Sequence, residues 1–254
     1  MNNDKPLLQV KDLVKTYNGR AVVNHLSFYV RTGEIVGLLG RNGAGKTTTF
    51  RMTVGMIDCE EGSVVFDGRE VTSQPMYKRA QFGMGYLSQE PSVFQRLSVE
   101  DNLLAILETM RGTSRAERLA KADQLITQFG LTRQRKQQAR TLSGGERRKL
   151  EIARALVTNP KLIMLDEPFS GVDPKAVEDL QFEILRLKRE RGIAILLTDH
   201  NVRETLRVTD RSYIIHDGQK LAEGAPRDIV RDPLVRRTYL GSSFREDEFD
   251  EALP

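Results

Sequence analysis

The chain has 254 residues, with 39 Lys or Arg against 35 Asp or Glu, a formal charge of +4 and a charged fraction of 29%. No apolar run approaches the ~18 residues that span a bilayer, so a transmembrane segment of its own is excluded. A single cysteine, Cys59, excludes an internal disulfide and a cysteine metal cluster, and the length suits one compact α/β unit with an inserted lobe.

The first residues, Met-Asn-Asn-Asp-Lys-Pro, have no basic stretch followed by an apolar one, so no secretory signal is expected and the cytosol is the expected compartment. The charge is uneven: 111–154 is rich in Arg and Lys, and 246–251 is acidic. Only one aromatic residue, Phe129, falls within 111–154, so a solvated helical surface is expected there and direct nucleic-acid binding is not.

Segments 7–13 and 21–30 are β-rich with Asn18-Gly19 between them as a turn signal, which predicts an antiparallel patch. Tyr17 ends the first segment, as either a core aromatic or a flat face for a base. Next, Ile35-Val36-Gly37-Leu38-Leu39 suits a buried parallel strand and 47–56 a helix. Between them runs Gly40-Arg41-Asn42-Gly43-Ala44-Gly45-Lys46-Thr47-Thr48, which fits the pattern Gly, four residues, Gly-Lys-Ser/Thr. Its three glycines let the backbone wrap an anion, with successive N–H groups and the positive end of the following helix facing phosphates. Lys46 is then expected to neutralise the β- and γ-phosphates, and Thr47 to hold Mg²⁺ through its hydroxyl.

Residues 63–66 with Asp67-Gly68 continue the β layer, and 85–88 read as a short strand ending at Gln89. From Ser98 the period changes to a helical one. Ser98 with Asp101 makes a capping start ahead of Val99, Leu103, Ile106 and Met110; Leu119, Ala122, Leu125, Ile126 and Phe129 repeat the pattern up to Gly130. A third helix starts at Ser143, where Ser143 and Glu146 form a capping box, and Pro160 ends it. A helical subdomain is therefore expected over about 98–158.

The apolar run 162–165 leads into Asp166-Glu167-Pro168, a buried strand that delivers two carboxylates to the sheet edge where open parallel sheets bind ligands. Asp166 is the expected magnesium partner of Thr47. Glu167 is the candidate for handling an attacking water; Pro168 after it predicts an extended backbone that turns it away from Asp166. Asp173-Pro174 supplies an N-cap and first helical residue, and Gly192 a C-cap. Segment 193–197 is the next strand, ending in Thr198-Asp199-His200, so Gln89 and His200 share the carboxyl edge with the glycine-rich loop. A hairpin over 212–216 and 219–222 and short helices at 227–230 and 234–240 complete a unit spanning 1–243, followed by an acidic tail, 244–254.

Leu142-Ser143-Gly144-Gly145-Glu146 resembles the signature of ABC-transporter ATPases, and with Gly40 to Thr48, Gln89, 162–167, Ser170-Gly171-Val172-Asp173 and His200 the whole ABC set stands in order over about 7–240. The resemblance implies an α/β P-loop cassette with an antiparallel β layer and a helical subdomain, using ATP and Mg²⁺. It further implies that Tyr17 stacks on adenine, Gln89 senses magnesium and the transport partner, Glu167 is the general base and His200 contacts the γ-phosphate. A homodimer is implied as well: Ser143, Gly144 and Gly145 of one chain close on the ATP of the other, with Asp173 in the contact. Glu146 departs from the commoner glutamine, and its capping box predicts retained activity.

Within the family, the stretches 83–90, 198–205 and Tyr239-Leu240-Gly241 with Phe244 are similar to ATPase subunits of lipopolysaccharide exporters, while branched-chain amino-acid importers share the loop and signature. The resemblance places such a subunit on the cytoplasmic face of the inner membrane, with integral membrane partners docking at 91–97. There Phe94 reads as a partner contact or a core residue, and Arg96 as a partner contact or a surface charge. A soluble ABC ATPase acting on ribosomes or DNA is a third reading; one loop and one signature in a single chain speak against it.

Overall fold

The computed structural model describes residues 5–90, 92–110, 112–241 and 244. Three strands form its centre: β3 (Ile35–Gly40), β7 (Leu162–Asp166) and β8 (Ala194–Thr198), buried at every position. Because side chains alternate across a strand, Val36, Leu38, Leu162, Met164 and Leu196 enter one apolar cluster, while Ile35, Ile163, Leu165, Ile195 and Leu197 enter another on the opposite face. Strands with two apolar faces need cover on both sides. Parallel pairing with β6 (Met84–Leu87) and β9 (Arg211–His216) and an antiparallel hairpin to β10 (Gln219–Gly224) complete a six-stranded sheet of order β10-β9-β3-β8-β7-β6.

One face is covered by α1 (Lys46–Val54), which brings in Phe50, Met52 and Val54, and by a four-stranded antiparallel sheet. That sheet has the order β2-β1-β4-β5, from β1 (Leu8–Tyr17), β2 (Arg20–Val30), β4 (Glu61–Phe66) and β5 (Arg69–Glu70). It is the expected β layer. Asn18 and Gly19 turn the first hairpin with φ +50 and +76, the doubly left-handed geometry of a two-residue turn that matches strand twist.

The helical lobe is α3 (Val99–Leu107), α4 (Arg115–Gln128) and α5 (Gly144–Leu156). Ser98 Oγ accepts from the Asp101 N–H, as its spacing predicts, and the Ser143–Glu146 capping box is present in both directions. Leu103, Leu125 and Leu150 share one cluster with Ile163 and Leu165, and with Leu180 and Ile184 of α6 (Pro174–Arg191), so the lobe is continuous with the sheet core. Some of its basic residues are ion-paired, Arg135 and Lys136 with Glu100 and Lys149 with Asp179.

Two short helices have no periodic signal in the sequence. In α2 (Met76–Gln81) the buried anchor is Arg79, whose guanidinium donates to the carbonyls of Met52 and Thr53 at 2.8 and 2.6 Å and to those of Thr72 and Gln74. It caps the end of α1. The other, α7 (Val202–Leu206), begins at Asn201, whose side chain accepts from the Glu204 N–H. After the β9–β10 hairpin, α8 (Pro226–Arg231) and α9 (Pro233–Val235) lead into a π-helical turn, Arg236–Leu240. These pack Ile229, Val230 and Val235 on Leu39, Leu206 and Ile214. Of the acidic tail only Phe244 is described, and 245–254 lies outside the described residues.

Candidate active site

The loop between β3 and α1 owes its shape to what surrounds it. A Cβ on Gly45 would stand 2.5 Å from the Val22 carbonyl oxygen, and one on Gly40 2.4 Å from that of Ile215, so both glycines are needed for the loop to lie against β2 and β9. Gly43, at φ +81 with open space where a Cβ would be, keeps the outer turn bare. Lys46 is 6% exposed, and its ammonium donates to the carbonyls of Gly40 and Arg41 at 2.8 and 3.1 Å. Burial lowers its pKa, against the opposing fields of Glu167, Asp166 and Asp199. A buried cation facing carboxylates across a lined space is suited to a polyanion.

That space is a cleft of about 500 Å³ whose walls include Asn42, Gly43, Gly45, Lys46, Thr47 and Thr48 on one side and Gln89, Glu167, Ser170 and His200 on the other. The residues expected at one carboxyl edge are thus brought together. Glu167 is their meeting point: Gln89 Nε2 donates to its Oε2 at 2.8 Å, and His200 Nδ1 lies 3.4 Å from the same oxygen.

The backbone that delivers Glu167 differs from the extended one that Pro168 predicts. Its φ is +48, in the left-handed region. Proline bars its predecessor from the right-handed helical well, and here the tertiary structure selects the left-handed one instead. The Glu167 N–H donates to Thr198 O at 2.8 Å, the Ser170 N–H reaches Glu167 O at 3.3 Å, and Asp199 accepts from the Phe169 N–H at 2.8 Å. A non-glycine residue there costs on the order of 1–3 kcal/mol, which these bonds offset. Asp199 is fully buried, and burial raises its pKa despite the backbone N–H groups of Asn201 and Phe169.

Asp166 does diverge from Glu167. Its Oδ2 accepts from the Tyr86 hydroxyl at 3.3 Å, while Oδ1 is buried with no hydrogen-bond partner among the described residues. Burial pushes its carboxyl up, with the Glu167 charge adding to the shift and Tyr86 and the nearby cations opposing it. An orphaned carboxylate oxygen at the foot of a phosphate cradle fits a hard cation. Among the described residues there is no group of three or more His, Cys, Asp or Glu that could hold a metal ion, so a Mg²⁺ here would need oxygen ligands beyond such a group.

Other expected residues stand apart from this cleft. Tyr17 is 47% exposed at the end of β1, which removes the core reading, and the Lys15 ammonium lies 5.6 Å from its ring centre. Ser143 and Gly144 are exposed at the start of α5, and Gly144 lines a smaller pocket together with Gln89, Glu167 and Ser170 of the cleft's far wall. Gly145 packs against the Ala176 methyl, where a Cβ would come within 2.9 Å, whereas Gly144 meets nothing within 4 Å; only Gly144 is left bare for an incoming group. Asp173 is exposed and caps α6 through the Ala176 N–H. Phe94 is 45% exposed with the Arg154 guanidinium 4.5 Å over its ring, so the core reading fails for it too, and Arg96 is exposed beside it.

Sequence reasoning missed the residues that hold the Gln89 loop. On one face of α5, the buried pair Arg148–Glu151 (2.8 Å) binds Ser88 O and the Ser92 N–H, and Arg154 binds Ser92 O. Their three-residue spacing was the available signal.

A profile of the ABC transporter family matches residues 23–170, more than half of the chain and both walls of the cleft from Gly40 to Ser170. The chain belongs to the ABC-transporter ATPases. As a member of that family it binds and hydrolyses ATP. A profile described as branched-chain amino acid ATP-binding cassette transporter matches 219–245. The lipopolysaccharide export system ATP-binding protein LptB of Acidithiobacillus ferridurans is 51% identical over 94% of this chain and 98% of its own. LptB of Escherichia coli K12 is 49% identical over 94% and 98%. Among solved structures, an ATP-binding cassette in its ADP conformation superposes with a TM-score of 0.83 at 29% identity, covering 93% of this chain and 99% of its own. A dimeric cassette bound to ADP and Pi shares the fold, with a TM-score of 0.77 at 24% identity over 86% of this ATPase and 98% of its own chain.

Proposed function

We propose that two copies of this ATPase close on two ATP molecules to drive lipopolysaccharide export through integral membrane partners, from the cytoplasmic face of the inner membrane. The observation that carries the chemistry is the Glu167 carboxylate, held between Gln89 and His200 at the rim of the phosphate loop. Glu167 takes the proton of the attacking water, Gln89 and His200 orient it, and His200 reaches the γ-phosphate. Backbone N–H groups of the loop and Lys46 hold the phosphates, and Tyr17 offers its ring to adenine. Thr47, Gln89 and Asp166 Oδ1 would hold Mg²⁺, which when bound would supply charge neutralisation on the phosphate oxygens. Ser143 caps α5 through its oxygen and keeps its hydroxyl proton for a phosphate on the second copy; Gly144 lets the second copy come close, Gly145 seats the start of α5 against Ala176 behind it, and Asp173 lies beside the contact.

The cargo assignment is supported by relatives named for lipopolysaccharide export at 49–51% identity over 94% of the chain. Import of branched-chain amino acids is the second reading, supported by the match over 219–245. Both are tested by isolating the tagged chain from gently solubilised native membranes and identifying what stays bound. A pair of lipopolysaccharide-export membrane subunits is expected; amino-acid permease subunits replace the cargo, and ribosomal or DNA-bound partners alone overturn transport.

Phe94 and Arg96 are the proposed partner contacts. Phe94 is half exposed, so Phe94→Ala loses little beyond its stacking with Arg154, about 0.5–1 kcal/mol. The variant is expected to fold, to keep the ATPase rate of the isolated chain, and to lose the membrane partners in the same isolation. Full partner recovery removes Phe94 from the docking role.

A further inference from the structure

Tyr239 lies on the π-helical turn Arg236–Leu240, and its ring joins the apolar cluster that contains Leu39, Leu206 and Ile214. Single π-turns recur where a side chain has to be aimed at a functional site. The Tyr239 hydroxyl is buried and makes no hydrogen bond of good geometry among the described residues. It is directed towards the backbone of Gly40 and stands in the field of Asp199. Burial pushes its pKa up to about 12, so it is a neutral hydroxyl at ordinary pH.

Both neighbours belong to the nucleotide site. Gly40 opens the phosphate loop, and Asp199 braces the Glu167 turn while preceding His200 in the chain. The hydroxyl therefore stands beside the start of the loop and the residue that braces the Glu167 turn. A buried hydroxyl without a partner is costly, and phenylalanine has the same shape without that cost. If the ring alone mattered, removing the oxygen would only help.

We propose that Tyr239 is a positioning residue for ATP: its hydroxyl accepts the Gly40 N–H when the loop closes on phosphate, so the C-terminal turn steadies the loop from behind. The proposal rests on the reading that residues 40–48 hold the ATP phosphates.

The test compares parent, Tyr239→Phe and Lys46→Ala by Mg-ATP titration, steady-state ATPase and thermal melting. Tyr239→Phe is expected to melt at or above the parent temperature, yet to bind ATP about five- to tenfold more weakly, the loss of one hydrogen bond. Its KM rises by the same factor, with kcat within about twofold of the parent, as when binding is lost equally from ground and transition states. A purely structural hydroxyl moves the melting temperature and leaves affinity alone. Parent-like affinity and KM in Tyr239→Phe overturn the proposal, whatever the melting temperature does. Lys46→Ala separates the two readings: if it binds ATP as the parent does, the cradle itself is misassigned, whereas loss of binding there with an unchanged Tyr239→Phe defeats the Tyr239 proposal alone.

Discussion

Glu167→Gln binds ATP with parental affinity and hydrolyses it about a hundred- to ten-thousandfold more slowly, the range over which a positioned general base acts. The substitution keeps shape and hydrogen bonding. A glutamine oxygen still accepts from Gln89 Nε2, which stands 2.8 Å from Glu167 Oε2, and the left-handed backbone is held by Thr198 and Asp199 whatever the side chain. What an amide lacks is the capacity to take a proton from water. With the cradle and Lys46 untouched, ATP loads normally, and an ATP-bound dimer accumulates on gel filtration because reopening waits for hydrolysis. Turnover at the parent rate sinks the assignment; loss of ATP binding shows instead that the substitution has disturbed the loop.

Gly144→Glu tests closure between two copies. A Cβ at Gly144 meets nothing within 4 Å, so the first carbon of a side chain enters open space. A carboxylate in the first turn of α5 also favours the helix, by about 0.3–1 kcal/mol. The isolated chain is expected to keep its melting temperature and its ATP affinity. Closure is another matter, because the new carboxylate stands at the bare N–H groups proposed to meet the phosphate of the second copy. Like charges with no water between them repel strongly, and loss of that anion site lowers ATPase activity by about a hundred- to thousandfold and abolishes the ATP-dependent dimer. A variant that dimerises and hydrolyses as the parent does places the signature elsewhere.

These two positions differ in how they were reached. The start of α5 at Ser143 was readable because a capping box depends on residues three apart, and the helix begins where that spacing puts it. The two adjacent glycines read alike in the sequence, yet Gly145 is occupied by packing on Ala176 and Gly144 is bare. Glu167 shows a local rule outweighed: Pro168 alone predicts an extended backbone, and bonds to Thr198 and Asp199, some thirty positions away, hold φ at +48. Phe94 suited core and surface equally until α5 set Arg154 over its ring and left it half exposed.

The sequence by itself determined the order of the central strands and the longer helices, the phosphate loop, the signature and the pair of carboxylates at a strand end, because each is written in neighbours within about four residues or in one period of alternation. Only the tertiary structure decided which carboxylate oxygen is orphaned, how Gln89, Glu167 and His200 converge, which glycine is free and where Tyr239 points. Those depend on residues far apart in the chain meeting across β3, β7 and β8, and burial there fixes which polar groups find partners and which are left for a ligand.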